Sequence, residues 1–426
     1  MGVWYSPMVR WGAGFLLGLA VLAGSALAQV PPGARPVDAG KTNAPFQSHL
    51  PVVRLETTQT IVSEPRVPCM VSLRMPEGTN AGDMGPLQGQ VRIHGASSQG
   101  FPKKSYAVTL EKPVQWLGLR QTAHWVLNAA FIDRSLMRHK LSYDLFQALS
   151  EPGARRYASS SRFVEVIVNN RYQGAYLLME RVDAGLLGLS RFDSNAVAHA
   201  VIYKAIDHRA DFAARDHSSY EQRFPDPQAL EYWKPLDDLN RFTSGARGGT
   251  FFDPEKGIGS KLDLGNAIDF HILLLVTSNM DGYDKNFMIA RDQPKTNAPS
   301  PRFFFVPWDY DATFGRNWNG AWVSTEEWVS NYLFDRLLED AAYRSAFSAR
   351  WKRLREKILS VNSIHAMIDA NVRTLGDAAR RNERRWFRRG AQAGEPLLFE
   401  QDVQEMKTWV VARMDWLDAE IRRRTR

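Results

Sequence analysis

The chain has 426 residues, 44% of them hydrophobic and 23% charged, and a formal net charge of +8. That balance excludes a disordered or fibrous chain and leaves room for one large core or two lobes sharing a cleft, while the modest positive charge favours anionic partners without singling out nucleic acid. A single cysteine, Cys69, excludes an internal disulfide, and with no CxxC pair and nine scattered histidines there is no pattern for a structural zinc site.

At the N-terminus, Arg10 precedes the apolar run WGAGFLLGLAVLAGSALA, which ends in Ala26-Leu27-Ala28 before Gln29. A positive start, an apolar centre and a small-x-small ending predict a secretory signal peptide over residues 1–28. An uncleaved anchor is the alternative, since the run is nearly long enough to span a bilayer. The glycines and alanines and the A-x-A ending favour cleavage, which leaves no integral membrane domain and puts the rest of the chain outside the cytoplasm. Residues 29–51 are rich in Pro, Gly and Ala without periodicity and predict a flexible tether.

From Val52 the pattern changes. VVRLETT, CMVSLRM, QVRIHG and SYAVTLE alternate apolar and polar residues between turns, which predicts a small, mainly antiparallel sheet over residues 52–112. Between the last two runs lies a loop with Gly95, Ser97, Ser98 and Gly100, followed by Lys103 and Lys104. Such a loop exposes backbone N–H groups to phosphate oxygens, and a following lysine adds a point charge. Hairpins of this composition are common, so the loop alone does not discriminate. HWVLNAAFIDRSLMRHKLSYDLFQALS predicts a helix, with Asp133 near its start and Leu136, Met137, Leu141, Leu145, Phe146 and Leu149 at helical spacing. Arg134 and Arg138 read as solvated or structural. SRFVEVIVNNRYQGAYLLMERVD predicts a β-hairpin turning at Asn169-Asn170, with Glu180 at its end free to pair Arg181 or the loop lysine. AVIYKAID is a further strand, carrying Lys204. Residues 52–206 thus form a β-rich N-terminal lobe with one helix.

Residues 207–260 are polar and turn-rich and predict an insertion or lid. Residues 261–426 predict a mainly helical C-terminal lobe. Within it LGNAIDFHILLLVTSNM is a strongly apolar helix that delivers Asp281 and, five positions on, Asn286. FFFV then reads as a short buried strand followed by Asp309 and Asp311. Acids at the ends of apolar strands are costly unless a positive group, usually a metal, sits between them. Beyond Gly315 the helices carry many arginines, including six between Arg380 and Arg389 and four at the C-terminus. Basic residues at helix C-termini suit the macrodipole, and a solvated basic face accounts for them.

Asp281 and Asn286 at this spacing, with a later acid on a strand end, fit phosphoryl transfer by the protein-kinase scheme. In that scheme an Asp takes the acceptor hydroxyl proton, an Asn five residues on binds magnesium, and a later Asp binds magnesium bridging the phosphates. Magnesium wants oxygen ligands, and ATP supplies several of its own, so one carboxylate and one amide from the protein suffice. The HRD and DFG letters are absent, and a metal-dependent phosphodiesterase or a glycosidase also uses clustered acids.

Several separated motifs in one order resemble the spore-coat protein H (CotH) kinase family: VRIHGASSQGFPKKSY, DRSLMRHKLSYDLF, VIVNNRYQGAYLLMERVD, YKA, NMDGYDKNF, PWDYDATFG and the helix around WVVARMDWLDAEI. The resemblance spans most of residues 60–420. It implies an α+β, two-lobed protein-kinase-like fold that uses ATP and Mg2+ or Mn2+ to phosphorylate Ser/Thr of a secreted or cell-envelope protein. By the same resemblance Asp281 is the catalytic Asp, Asn286 a metal ligand, and Asp309 the metal-binding Asp with Asp311 as second candidate. Lys104 would contact the phosphates, with Lys103 as the alternative, together with the loop serines Ser97 and Ser98. Glu180 would orient that lysine, and Lys204 would line the nucleotide site. His94 stands where the family commonly has an arginine before the glycine. The alternative function is a catalytically inactive structural or adhesive protein of the cell envelope on the same fold.

Overall fold

A computed structural model describes residues 46–387 and 398–426. The expected signal peptide and the tether up to residue 45 lie outside the described residues.

The first half of the chain builds a closed barrel from β1 (Val52–Glu56), β2 (Val67–Arg74), β3 (Met84–His94), β4 (Ser105–Val114), β5 (Thr122–Asn128), β6 (Ser161–Val168) and β7 (Arg171–Glu180), with helix α1 (Arg138–Ala148) between β5 and β6. The strand order is β1-β2-β3-β4-β5-β7-β6. Every pairing is antiparallel except the one that closes the ring, where β1 lies parallel to β6 from Val52↔Glu165 to Leu55↔Val168. This closure removes the edge that an open sheet would leave on β1. Alternate residues Val53, Leu55, Val71, Val91, Val108, Trp125, Val164, Val166 and Leu178 fill the interior. The β6–β7 turn is the expected one: Asn169 and Asn170 both have positive φ, as a two-residue hairpin requires.

The second half begins with β8 (Val201–Ala205), β9 (Tyr220–Phe224), α2 (Lys234–Gly245), α3 (Gly248–Phe251), α4 (Leu264–Thr277), β10 (Phe287–Arg291) and β11 (Phe304–Pro307). Its four strands pair in the order β11-β10-β8-β9. It ends in α5 (Tyr332–Leu337), α6 (Ala341–Arg355), α7 (Val361–Trp386) and α8 (Leu398–Arg424). Helix α4 is mostly apolar and almost wholly buried, its Asp269 paired inside with Arg156 and Arg350; it is started by the Asp263 side chain accepting from Asn266 N–H at 3.0 Å and stopped by Ser278 in the left-handed region. One core joins α1, α4, the second sheet, the later helices and the outer wall of β7 through Ala175, Leu177 and Met179. Residues 207–260 contribute Phe212, Tyr220, Leu236, Leu239, Phe251 and Ile258 to that core.

The α+β class holds, strands first and helices last. The expected mainly antiparallel sheet over residues 52–112 is present as part of a larger closed barrel, because β6 and β7, far along the chain, supply the remaining wall. A two-lobed kinase outline is not clearly displayed: a second sheet sits within the helical half, and the core runs through from the barrel wall. Among the described residues no helix is long and apolar enough to cross a membrane.

Candidate active site

Three of the expected residues leave the same end of the second sheet. Strands β10 and β11 pair with Phe287 opposite Pro307, and just beyond them the Asn286 carbonyl accepts from Trp308 N–H at 3.2 Å. On the other side of β10, Met288 faces Lys204 of β8. The strands are fixed by Phe287, Ile289 and Phe305, all fully buried, so Asn286, Lys204 and Asp309 are held on a rigid base. Asn286 (φ 54°) and Asp309 (φ 59°) both occupy the left-handed region, which an ordinary strand end does not require.

Asp309 has many protein groups around it, yet its side chain keeps 47% of its surface open. From α1, His139 Nε2 approaches its Oδ1 at 3.4 Å, and Tyr143 Oη accepts its backbone N–H at 3.0 Å. Burial works against the Asp309 carboxylate, but the His139 contact, with Lys204 and His94 nearby, holds its pKa below the usual value. The neighbouring Asp311 goes the other way: burial and then the charge of Asp309 raise its pKa well above the carboxylate range. Burial also pushes His94 down to about 4, helped by Arg92 and Lys204, so its ring is neutral at pH 7. The Lys204 ammonium lies 5.4 Å from the centre of the Trp308 ring.

Asp281 sits on the loop that follows α4. Its backbone N–H is held by Asn279 Oδ1 at 3.2 Å, and its carboxylate faces Lys285 Nζ at 3.8 Å. Gly282 is required by close packing, since a Cβ there would lie 2.6 Å from the Asn279 side chain. One residue pair joins the two acidic loops: Phe314 N–H donates to Thr277 O at 2.8 Å, so both loops rest on the C-terminal end of α4. Next to Asp281 in this loop, Asp284 Oδ1 meets His208 Nδ1 at 2.9 Å.

Two buried arginines, neither recognised as a support of the site from sequence, hold this arrangement. Arg138 binds Asp133 and Asp402, both at 2.5 Å, and its Nε donates to Thr313 O in the loop after Asp311. Arg413 of α8 donates from Nε to Leu275 O in the last turn of α4 and from Nη1 to Thr325 O, each at 2.8 Å. Burial pushes its pKa down to about 9. The sequence leaves Arg138 between a solvated and a structural role, and spacing alone does not say what either arginine holds.

The expected phosphate loop is arranged differently. Ser97 and Ser98 open a single 3-10 turn, Ser97–Gly100. Lys104 Nζ is folded back onto Gln99 O of that turn at 2.6 Å. Lys103 is buried and donates to Ala129 O, Ala175 O and Asn382 Oδ1 while lying 4.5 Å from the Tyr176 ring centre. Glu180 accepts from Arg120 N–H at 2.6 Å and makes no ion pair with Lys104. The register explains why: Val108 pairs with Trp125 and Trp125 with Glu180, which places Glu180 four residues, about 13 Å, along β4 from Lys104. The site therefore gathers Asn286, Lys204, Asp309 and Asp311 beside the Asp281 loop, and leaves Lys104 and Glu180 apart.

Among the described residues no group of three or more His, Cys, Asp or Glu side chains is arranged to hold a metal ion. The donors at the sheet end are oxygen donors: the carboxylates of Asp309 and Asp311 and the amide of Asn286. Such a set fits a hard divalent cation that takes its remaining oxygens from a phosphorylated substrate.

Residues 91–417 match the family described as CotH kinase protein. The chain is also similar to the inner spore coat protein H of Bacillus subtilis (strain 168), with 28% identity over 282 residues, covering 63% of this chain and 70% of that protein.

Proposed function

As the chain belongs to the CotH kinase protein family, we propose that it is a secreted or periplasmic kinase that transfers the γ-phosphoryl group of ATP to Ser/Thr side chains of a secreted or cell-envelope protein, with a divalent metal, Mg2+ or Mn2+. On this reading the barrel takes the part of a kinase's N-terminal lobe, and the second sheet with α4–α8 that of the other. The observation that supports it most directly is the convergence of Asn286, Lys204, Asp309 and Asp311 on one sheet end, beside the loop of Asp281.

Asp281 is proposed to accept the proton of the attacking hydroxyl, with Lys285 Nζ 3.8 Å from its carboxylate. Asn286 and Asp309 would hold the metal, with Asp311 the alternative ligand. When bound, that ion offsets charge on the transferring phosphoryl group. Lys204 adds a positive charge within reach of Asp309. Phosphoryl transfer needs little covalent chemistry from the protein, so positioning and electrostatics carry the rate.

The test is incorporation of labelled phosphate from ATP, with Mg2+ or Mn2+, into the full chain or into added envelope proteins. Asp281→Asn and Asp309→Asn should each abolish it. Equal incorporation by either variant would overturn the assignment.

A further inference from the structure

The outer wall of the barrel beside this site carries a pattern of charge that none of these roles uses. Val91, Val108, Trp125 and Leu178 point into the barrel, so Arg92, Ala107, His124 and Arg181 face outward. Arg66 precedes the Val67↔Val91 pair and so stands next to Arg92. Arg92 pairs across β3–β4 with Ala107, whose carbonyl accepts from Arg66 Nη1 at 3.4 Å. Arg181 follows Glu180, the partner of Trp125, and so neighbours His124. From the second sheet Arg223 of β9 comes within electrostatic reach of both Arg92 and Arg181, and Lys204 of β8 within reach of Arg223 and Asp309.

Arg66, Arg92 and Arg181 on the wall and Arg223 and Lys204 from the second sheet are thus five cations within electrostatic reach of one another in turn. Counter-charges stand beside three of them: Glu64, 3.4 Å from Arg92, Glu221, 2.9 Å from Arg223, and Asp309 within reach of Lys204. Nε of Arg92 and Nε of Arg223 are buried without a hydrogen-bond partner. Burial and the neighbouring arginines lower the pKa of Arg66, and burial lowers that of Arg223 despite Glu221. A packed set of like charges with unused donors is unfavourable by itself and becomes favourable when an anion arrives. Charge of one sign along a low-dielectric wall also focuses the field on such a ligand.

We propose that this wall is a binding site for condensed phosphate, in which Arg66, Arg92, Arg181 and Arg223 grip a chain of phosphate oxygens. Guanidinium forks match such oxygens in pairs, whereas the Lys104 ammonium is turned back onto its own loop. Lys204 lies within electrostatic reach of both Arg223 and Asp309, so the line of cations leads toward the acids. In naming the nucleoside triphosphate as the source of the phosphates, this site rests on the kinase reading; its affinity for the phosphate chain does not.

The test is calorimetric titration of the full chain with inorganic tripolyphosphate, ATP and AMP, without metal and at low salt. Tripolyphosphate and ATP should bind, and AMP at least tenfold more weakly. ATP binding well above tripolyphosphate identifies a nucleoside triphosphate site, and equal binding a site for condensed phosphate alone. Arg92→Ala with Arg181→Ala should weaken tripolyphosphate at least tenfold, whereas Arg422→Ala with Arg423→Ala, the same loss of charge on the far end of α8, should not. Arg181→Glu, at an exposed position, should weaken it without disturbing the fold. Unchanged affinity in Arg181→Glu, equal loss in the α8 control, or AMP binding as well as tripolyphosphate would overturn the site. Absent transfer from labelled ATP with this binding intact would instead count against the kinase reading.

Discussion

His139 Nε2 lies 3.4 Å from Asp309 Oδ1, and Tyr143, one turn further along α1, accepts the Asp309 backbone N–H at 3.0 Å. Residues four apart share a helix face, so α1 fixes both the carboxylate and the left-handed backbone of the proposed metal-binding Asp. Burial disfavours an imidazolium at His139, but Asp309 and Asp311 outweigh it and raise the pKa of the ring.

His139 is therefore a positioning residue, acting through Asp309. Replacing it by Ala should lower kcat for phosphoryl transfer about 10–100-fold, the usual cost of losing a partner that orients a ligand. His139→Gln, which keeps an N–H within reach, should recover part of the loss. Steady-state kinetics on both variants, alongside their thermal midpoints, check this: a midpoint that falls while the two variants show equal kcat would assign His139 to packing alone.

Adjacent lysines separate in the same way. Lys103→Ala should destabilise the fold by about 3–5 kcal/mol, because it empties a buried cation site and leaves Ala129 O, Ala175 O and Asn382 Oδ1 without their donor. Lys104→Ala, at a half-buried position with one backbone partner, should cost about 1 kcal/mol. Urea unfolding of the two variants side by side tests the difference, and equal midpoints would refute it.

How far the sequence reveals such features depends on the range of the signal. Helix α4 and the acids behind it were legible because an unbroken apolar run followed by Asn, Asp and Gly is a local pattern. The β6–β7 hairpin was legible for the same reason, through Asn169-Asn170. Barrel closure was not, because the β1–β6 pairing joins segments more than a hundred residues apart and leaves no trace in either strand. Charged residues misled most. Lys103 and Lys104 look alike in a row, yet one is buried and the other half-buried, and Arg413 is buried on a helix that ends in exposed arginines. The expected Lys104–Glu180 partnership depended on register, which alternation alone does not fix.

The Arg138–Asp402 pair ties α8 to the start of α1. Asp402 also accepts from Arg316 Nε at 2.9 Å, so its removal strands one fully buried guanidinium with Asp133 alone and loosens a second. Asp402→Ala should cost about 3–5 kcal/mol, the range for breaking a buried pair by removing one partner. Arg138 also holds Thr313 O, so the variant's transfer activity should fall before global unfolding as denaturant rises. Activity and tryptophan fluorescence followed through one urea series test this, and coincident curves would remove the link between the pair and the site.

His271 gives the acid dependence a defined sign. It lies wholly buried in α4, with Nε2–H donating to Val329 O at 3.0 Å, its ring stacked 4.5 Å from that of Phe334, and Nδ1 buried without a partner. Burial pushes its pKa down to about 3, whereas the unfolded chain titrates near 6.5. Below pH 6.5 the unfolded state therefore binds a proton that the folded state refuses. The stability that His271 confers is complete above that pH and is lost as the pH falls toward 3, by about 1.4 kcal/mol per unit once the unfolded histidine is fully charged. His94, pushed down to about 4, adds a loss of the same sign. His271→Gln keeps a donor for Val329 O but cannot titrate. It should begin less stable at pH 7 and then lose stability more slowly than the wild type, with a slope shallower by up to about 1.4 kcal/mol per pH unit between pH 6 and 5. Urea midpoints at pH 7, 6 and 5 measure both slopes; parallel lines would mean that the buried ring takes up its proton in the folded protein as readily as in the unfolded chain.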